Sequence, residues 1–143
     1  MCKTSSAKQK DALNMEMHRM KRRDEVAQER LNQLTQQRKW AHGKWLKFNS
    51  KVYNAAMQME EAAFADGARS KKHKELIALG IGVITDCESC MQWHMEQAVQ
   101  AGATQQGIVE TLEVAIEMGI VPATVHARFA LEVMDSLLGK VHS

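Results

Sequence analysis

Three cysteines, one proline and 5% aromatic residues are few for a chain of 143 residues, and each shortage excludes something. Three cysteines, one of them Cys2 in a polar N-terminal stretch, cannot build the disulfide framework of a small secreted scaffold. The cytoplasm is therefore the expected compartment. A single proline and scarce aromatics fit a helical chain built on Ala, Leu, Met and Ile better than a β-rich one. Long apolar runs are also missing: the longest nearly apolar stretch, residues 76–85, is far short of the ~20 residues that span a bilayer. Residues 1–15 carry no apolar signal-peptide core, so no membrane association is expected.

What is present suits one domain with a real core. Hydrophobic residues make up 45% of the chain, and a chain of this size buries about two-thirds of its unfolded surface. The net charge of +2 hides a split. Residues 1–50 carry 12 Lys/Arg against 5 Asp/Glu, and residues 51–143 carry 7 against 12. A basic segment can neutralise phosphates, but no nucleic-acid reader motif accompanies it, so it reads as a solvated helix face and nucleic acid is not an expected partner.

Periodicity gives an all-α chain of about six helices. Residues 11–39 contain neither Pro nor Gly, and Leu13, Met17, Met20, Ala27, Leu31 and Leu34 form a stripe that Asp24 interrupts. This is a long, charged, amphipathic N-terminal helix or arm, suited equally to a partner subunit or to its own domain. Residues 1–10 read as a frayed tail. Gly43 weakens continuity, after which Trp45, Phe48, Val52, Ala56, Met59 and Ala63 trace a second face up to Gly67. Trp40 and Trp45 read as packing anchors in the core or at an interface.

Ser70 is the expected N-cap of a helix over residues 71–84, with Leu76, Ile77, Leu79 and Ile81 as a largely buried middle. Gly80 and Gly82 suit close approach by another helix. Asp86 is expected to cap the next helix, which ends at Ala101 and Gly102. Thr104 caps one over residues 105–118, stopped by Gly119, and Pro122 begins the last, which runs to about Leu138 before Gly139.

Chemistry concentrates in Cys87-Glu-Ser-Cys90-Met-Gln-Trp-His94, with Glu75 one helix upstream. Cysteines three apart at a helix start can approach each other, and a histidine four beyond Cys90 lies over the same face. The first turn of a helix stabilises a thiolate, His94 can take a thiol proton, and Glu75 can orient His94. In that scheme Cys90 attacks an electrophilic oxygen or sulfur and Cys87 resolves the product into a disulfide. The same four side chains could instead ligate zinc, although structural zinc ligands usually come as two separated pairs. Met91, Trp93 and Met95 are packing residues or walls of an approach to the thiolate. His73 and His126 read as surface or satisfied histidines, and His42 and His142 carry no supporting pattern.

Residues 72–80, Lys-His-Lys-Glu-Leu-Ile-Ala-Leu-Gly, then Cys87-x-x-Cys90-x-x-x-His94, Ala101-Gly102-Ala103-Thr104 and Glu110-x-x-x-x-Ala115-x-x-Met118-Gly119 resemble the carboxymuconolactone decarboxylase superfamily, in its alkylhydroperoxidase AhpD-like branch. The likeness covers residues 60–138. It implies an all-helical fold assembled as trimers or hexamers, with Cys90 as peroxidatic cysteine, Cys87 as its disulfide partner, and His94 and Glu75 as proton relay. It also implies a hydroperoxide substrate and reduction by a lipoylated or other dithiol protein. AhpD has a further histidine before its second cysteine, where Ser89 stands here, and the decarboxylase branch lacks the cysteine pair. The expectation is a homo-oligomeric thiol peroxidase or disulfide oxidoreductase without cofactor or metal; the alternatives are a non-enzymatic binding or redox-sensing protein with a basic arm, and a zinc domain.

Overall fold

The computed structural model describes residues 4–140, and every described element is an α-helix: α1 Thr4–Phe48, α2 Lys51–Phe64, α3 Lys71–Ile84, α4 Glu88–Gln100 and α5 Gln105–Leu138. Short polar side chains start three of them. Ser50, Ser70 and Thr104 each accept a hydrogen bond from the backbone N–H three residues on, which satisfies a donor the helix leaves free. After α4 the chain turns at Gly102, at φ 85°, with Gly102 N–H bonded to the Val99 carbonyl and Ala103 N–H to that of Ala98. That pair of bonds closes the helix in a Schellman arrangement.

The core lies where α3, α4 and α5 meet. Leu79 and Val83 of α3, Met91 and Met95 of α4, and Ile108, Leu112, Ala130 and Val133 of α5 are all buried. Each large side chain so buried contributes about 1.5–3 kcal/mol relative to exposure. Glycine permits a close contact there. A Cβ on Gly82 would stand 3.3 Å from both the backbone N and the Cγ of Met91, so α3 and α4 touch there almost backbone to backbone.

Several details depart from the sequence expectations. The first helix is unbroken from residue 4, through Gly43, to Phe48, so the expected tail is helical wherever it is described; residues 1–3, with Cys2, and His142 lie outside the described residues. Leu31 of α1 is buried, whereas Leu13, Met17 and Met20 are exposed. Trp40 and Trp45 are exposed rather than core residues, with Trp45 stacked on Tyr53 at 5.6 Å. In α3, Leu79 is buried, but Ile77 and Ile81 face outward, because the inward stripe is Glu75, Leu79, Gly82 and Val83.

α5 is two helical segments that join at Ile120, whose backbone, at φ 51° and ψ −139°, is not helical. The break falls between Gly119 and Pro122, as their order suggests. A Cβ at Gly119 would lie 2.7 Å from both Ala123 Cβ and Ile84 Cδ1, so only glycine fits the inside of this bend.

Candidate active site

Asp86 does not cap α4. It closes α3 instead: at φ 53° it donates its N–H toward the Val83 carbonyl, and Cys87 N–H bonds to the Gly82 carbonyl at 3.0 Å. A short polar residue tolerates this left-handed position better than most, which frees the next residue to begin a helix. That residue is Cys87. It is the N-cap of α4, and its Sγ accepts the Cys90 N–H at 3.3 Å.

Cys87 and Cys90 are joined as a disulfide, with Cα atoms 5.2 Å apart and both residues only part-buried. Once the bond is opened, a thiolate at Cys87 sits against the unpaired amides and positive field of the α4 N-terminus. Cys90 stands in the first turn, and His94 follows one turn later on the same side of the helix.

His94 is held from two sides. Its Nδ1 meets Oε2 of Glu75 at 2.8 Å across the α3–α4 contact, and its ring stacks on Phe64 of α2 with centroids 5.2 Å apart. Glu75 is 2% exposed, the only buried carboxylate among the described residues. A buried carboxylate persists where a partner compensates its lost hydration, and the imidazole supplies that partner. With Nδ1–H donating to Glu75, Nε2 is the nitrogen left to exchange a proton.

The four residues singled out in the sequence therefore fall in one region, as two joined pairs on adjoining helices. Other contacts had no signature. Trp93 donates its indole N–H to Glu60 Oε1 at 2.9 Å and lies under the Arg38 guanidinium, which also pairs with Glu96 at 2.8 Å. Phe64 and Glu60 share one face of α2 at a spacing of four, a signal of a helix face but not of what it covers. Met91 and Met95 are fully buried packing residues, and Ser89 is exposed. His126 is satisfied, with Nδ1 3.0 Å from the Val83 carbonyl, and His73 pairs with Ser70 Oγ. Among the described residues, no three His, Cys, Asp or Glu side chains converge as metal ligands would. No described helix is long and apolar enough to cross a membrane.

Comparison with known proteins agrees with this architecture. A family model, Carboxymuconolactone decarboxylase family, matches residues 50–133. The chain is similar to uncharacterized protein 4 in the cox locus of Paracoccus denitrificans, 35% identical over 99 residues that cover 69% of this chain and 89% of that protein. Among solved structures, an apo carboxymuconolactone decarboxylase family protein from Legionella pneumophila superposes with a TM-score of 0.73 at 31% identity, covering 78% of this chain and 98% of its own. A protein of the same family from Thermotoga maritima, suggested to take part in an antioxidative response, gives a TM-score of 0.67 at 24% identity, covering 73% of this chain and 89% of its own.

Proposed function

The chain belongs to the carboxymuconolactone decarboxylase family, and from the site it carries we propose that it is a thiol-dependent peroxidase of the alkylhydroperoxidase kind, cycling through the Cys87–Cys90 disulfide. The observation that carries this reading is the pairing of buried Glu75 with the part-buried His94, which stands one helical turn beyond Cys90. A structural cysteine pair has no need of a proton acceptor held in a fixed tautomer beside it.

The steps balance as follows. His94 Nε2 takes the Cys90 thiol proton, with Glu75 stabilising the imidazolium. The Cys90 thiolate attacks the outer oxygen of a hydroperoxide, the O–O bond breaks, and the leaving alkoxide receives the proton from His94. The product is an alcohol, or water from hydrogen peroxide, with Cys90 as sulfenic acid. Cys87, its thiolate favoured at the helix N-cap, then attacks the Cys90 sulfur; the S–O bond breaks, the proton that the Cys87 thiol gave up goes to the departing hydroxyl, and water leaves. A dithiol protein, such as one carrying a lipoyl group, returns two electrons and two protons and restores both thiols.

Under this proposal the protein works as a homo-oligomer, trimer or hexamer, in the cytoplasm, where dithiol reductants are maintained. The same pair supports disulfide exchange with a protein substrate, and kinetics separate the two. Stopped-flow mixing of the reduced protein with hydrogen peroxide and with an organic hydroperoxide, with thiols counted by mass, is expected to give rapid loss of the Cys87 and Cys90 thiols and formation of their disulfide. A rate no faster than that of an ordinary exposed cysteine rejects the peroxidase reading and moves the assignment to disulfide exchange.

A further inference from the structure

Cys87 stands between two carboxylates in the chain, Asp86 before it and Glu88 after it. Glu88 occupies the first turn of α4, where the helix field favours negative charge, and the same field stabilises a thiolate at the N-cap. The two compete. A carboxylate fixed at this position works against ionisation of the neighbouring thiol, because like charges repel and the neutral thiol is then favoured.

Each carboxylate meets a counter-charge, and the two come from different helices. Asp86 faces His126 of α5, with Oδ2 3.7 Å from Nε2. Glu88 pairs with the Arg30 guanidinium of α1. The imidazole carries charge only when protonated, whereas a guanidinium is charged at every pH a protein meets. Arg30 is therefore the permanent counter-charge beside Cys87. Further along α4, the remaining ionisable pair of the site is Glu75 with His94.

The fold places Arg30 from several sides. Its guanidinium lies over the buried Phe129 ring of α5, 5.0 Å from the centroid. α1 and α4 run in the same direction, and their contacts repeat at a nearly constant offset: Arg30 with Glu88, Thr35 with Gln92, and Arg38 with Glu96. The buried Gln92 also donates to the Leu31 carbonyl. These rungs fix the register of α1 on the cysteine-bearing helix, and with it the place of Arg30. The Arg30 side chain is half exposed, and an ion pair of that kind contributes little to folding, so its effect falls on local charge. α1 also precedes residues 50–133, which the family model matches.

We propose that Arg30 is a positioning residue of the thiol site, which cancels the Glu88 charge beside Cys87 and so keeps the Cys87 thiolate within reach at neutral pH. The N-terminal helix thereby contributes to the chemistry of the cysteine pair. The proposal rests on the reading of Cys87 as a working thiol whose thiolate attacks the oxidised Cys90, but its measure is ionisation of that thiol, which needs no peroxide.

Alkylation of the reduced full-length chain tests it. Iodoacetamide, an uncharged reagent, is added across a range of pH, and modification of Cys87 and of Cys90 is followed separately by peptide mass spectrometry. Arg30→Gln should lower the thiolate fraction of Cys87 at neutral pH by about two- to tenfold, the effect of one uncompensated charge near a protein surface. Glu88→Gln should raise it by a similar factor. The double variant should return to the wild-type profile, Arg30→Lys should keep that profile, and added salt should shrink the differences. A purely structural contact would behave otherwise: both single variants would shift Cys87 in the same direction, and the double variant would not recover. That pattern, or an unchanged Cys87 profile in Arg30→Gln, overturns the proposal. Peroxide consumption is scored separately, since the same charge pattern would hold in a protein that only exchanges disulfides.

Discussion

His94 and Glu75 meet at 2.8 Å between Nδ1 and Oε2, with the carboxylate buried in the contact of α3 with α4. The relationship joins fold to chemistry, because the same helix contact that builds the core also fixes which histidine nitrogen remains free.

Removing either member should therefore affect rate more than fold. His94→Gln is expected to slow reaction of the Cys90 thiol with hydroperoxide by about 100-fold or more, the range a positioned proton acceptor supplies. Glu75→Gln keeps the shape and a hydrogen-bond partner but loses the charge, and should give a smaller loss of the same kind. Stopped-flow rates, with circular dichroism as the check on folding, measure both. An unchanged rate in His94→Gln would remove the relay from the account.

Two glycines on one helix should respond oppositely to alanine. Gly82→Ala sets a Cβ 3.3 Å from the Met91 backbone nitrogen, which cannot swing aside, and should destabilise by about 1–3 kcal/mol. Gly80→Ala meets only Thr111 Cγ2 at 3.6 Å, an ordinary contact, and gains up to about 1 kcal/mol of helix propensity. Denaturant unfolding of the two variants side by side tests the difference in sign.

Asp86 should tolerate glycine and reject valine. At φ 53° a β-branched side chain is strained, so Asp86→Val is expected to cost about 1–2 kcal/mol and to disturb the N-cap placement of Cys87, whereas Asp86→Gly should be near neutral. Thermal unfolding, with the reactivity of Cys87 toward an alkylating reagent, reads both effects. Equal stability of the two variants would argue against the turn as described.

Arg38 links α1 to the cysteine-bearing helix through Glu96 and the Trp93 ring. Arg38→Ala should lose about 1–2 kcal/mol of this attachment, given a part-buried ion pair with a stacked partner. Hydrogen exchange is expected to quicken around residues 31–45 while Leu79 and Met95 stay protected. Exchange quickened equally throughout would mean that α1 is integral to the core.

Much of this arrangement was legible in the sequence, and the limits have physical causes. Ser70, Thr104, Gly102 and Gly139 act where their side chains or conformational freedom place them, because capping is local. The cysteine motif and Glu75 were also legible, the first by spacing and the second by its place one helix earlier. Asp86 was misassigned because a capping side chain and a left-handed helix stop draw on the same residue type, and only the bond from Cys87 N–H to Gly82 distinguishes them.

Ile77 and Ile81 read as buried because hydrophobicity alone does not say which face of a helix turns inward. The same holds for Trp40 and Trp45. Phe64 against His94, and Glu60 against Trp93, depend on how α2 returns over α4, a long-range packing choice with no local signature.

The most direct test of the central claim compares Cys90→Ser with Cys87→Ser in the reaction of reduced protein with an organic hydroperoxide. Cys90→Ser should abolish peroxide consumption. Cys87→Ser should consume one equivalent in a single burst and leave Cys90 oxidised, trapped as sulfenic acid by a dimedone adduct at that residue. Equal residual turnover in the two variants, or a burst retained in Cys90→Ser, would contradict the assigned roles.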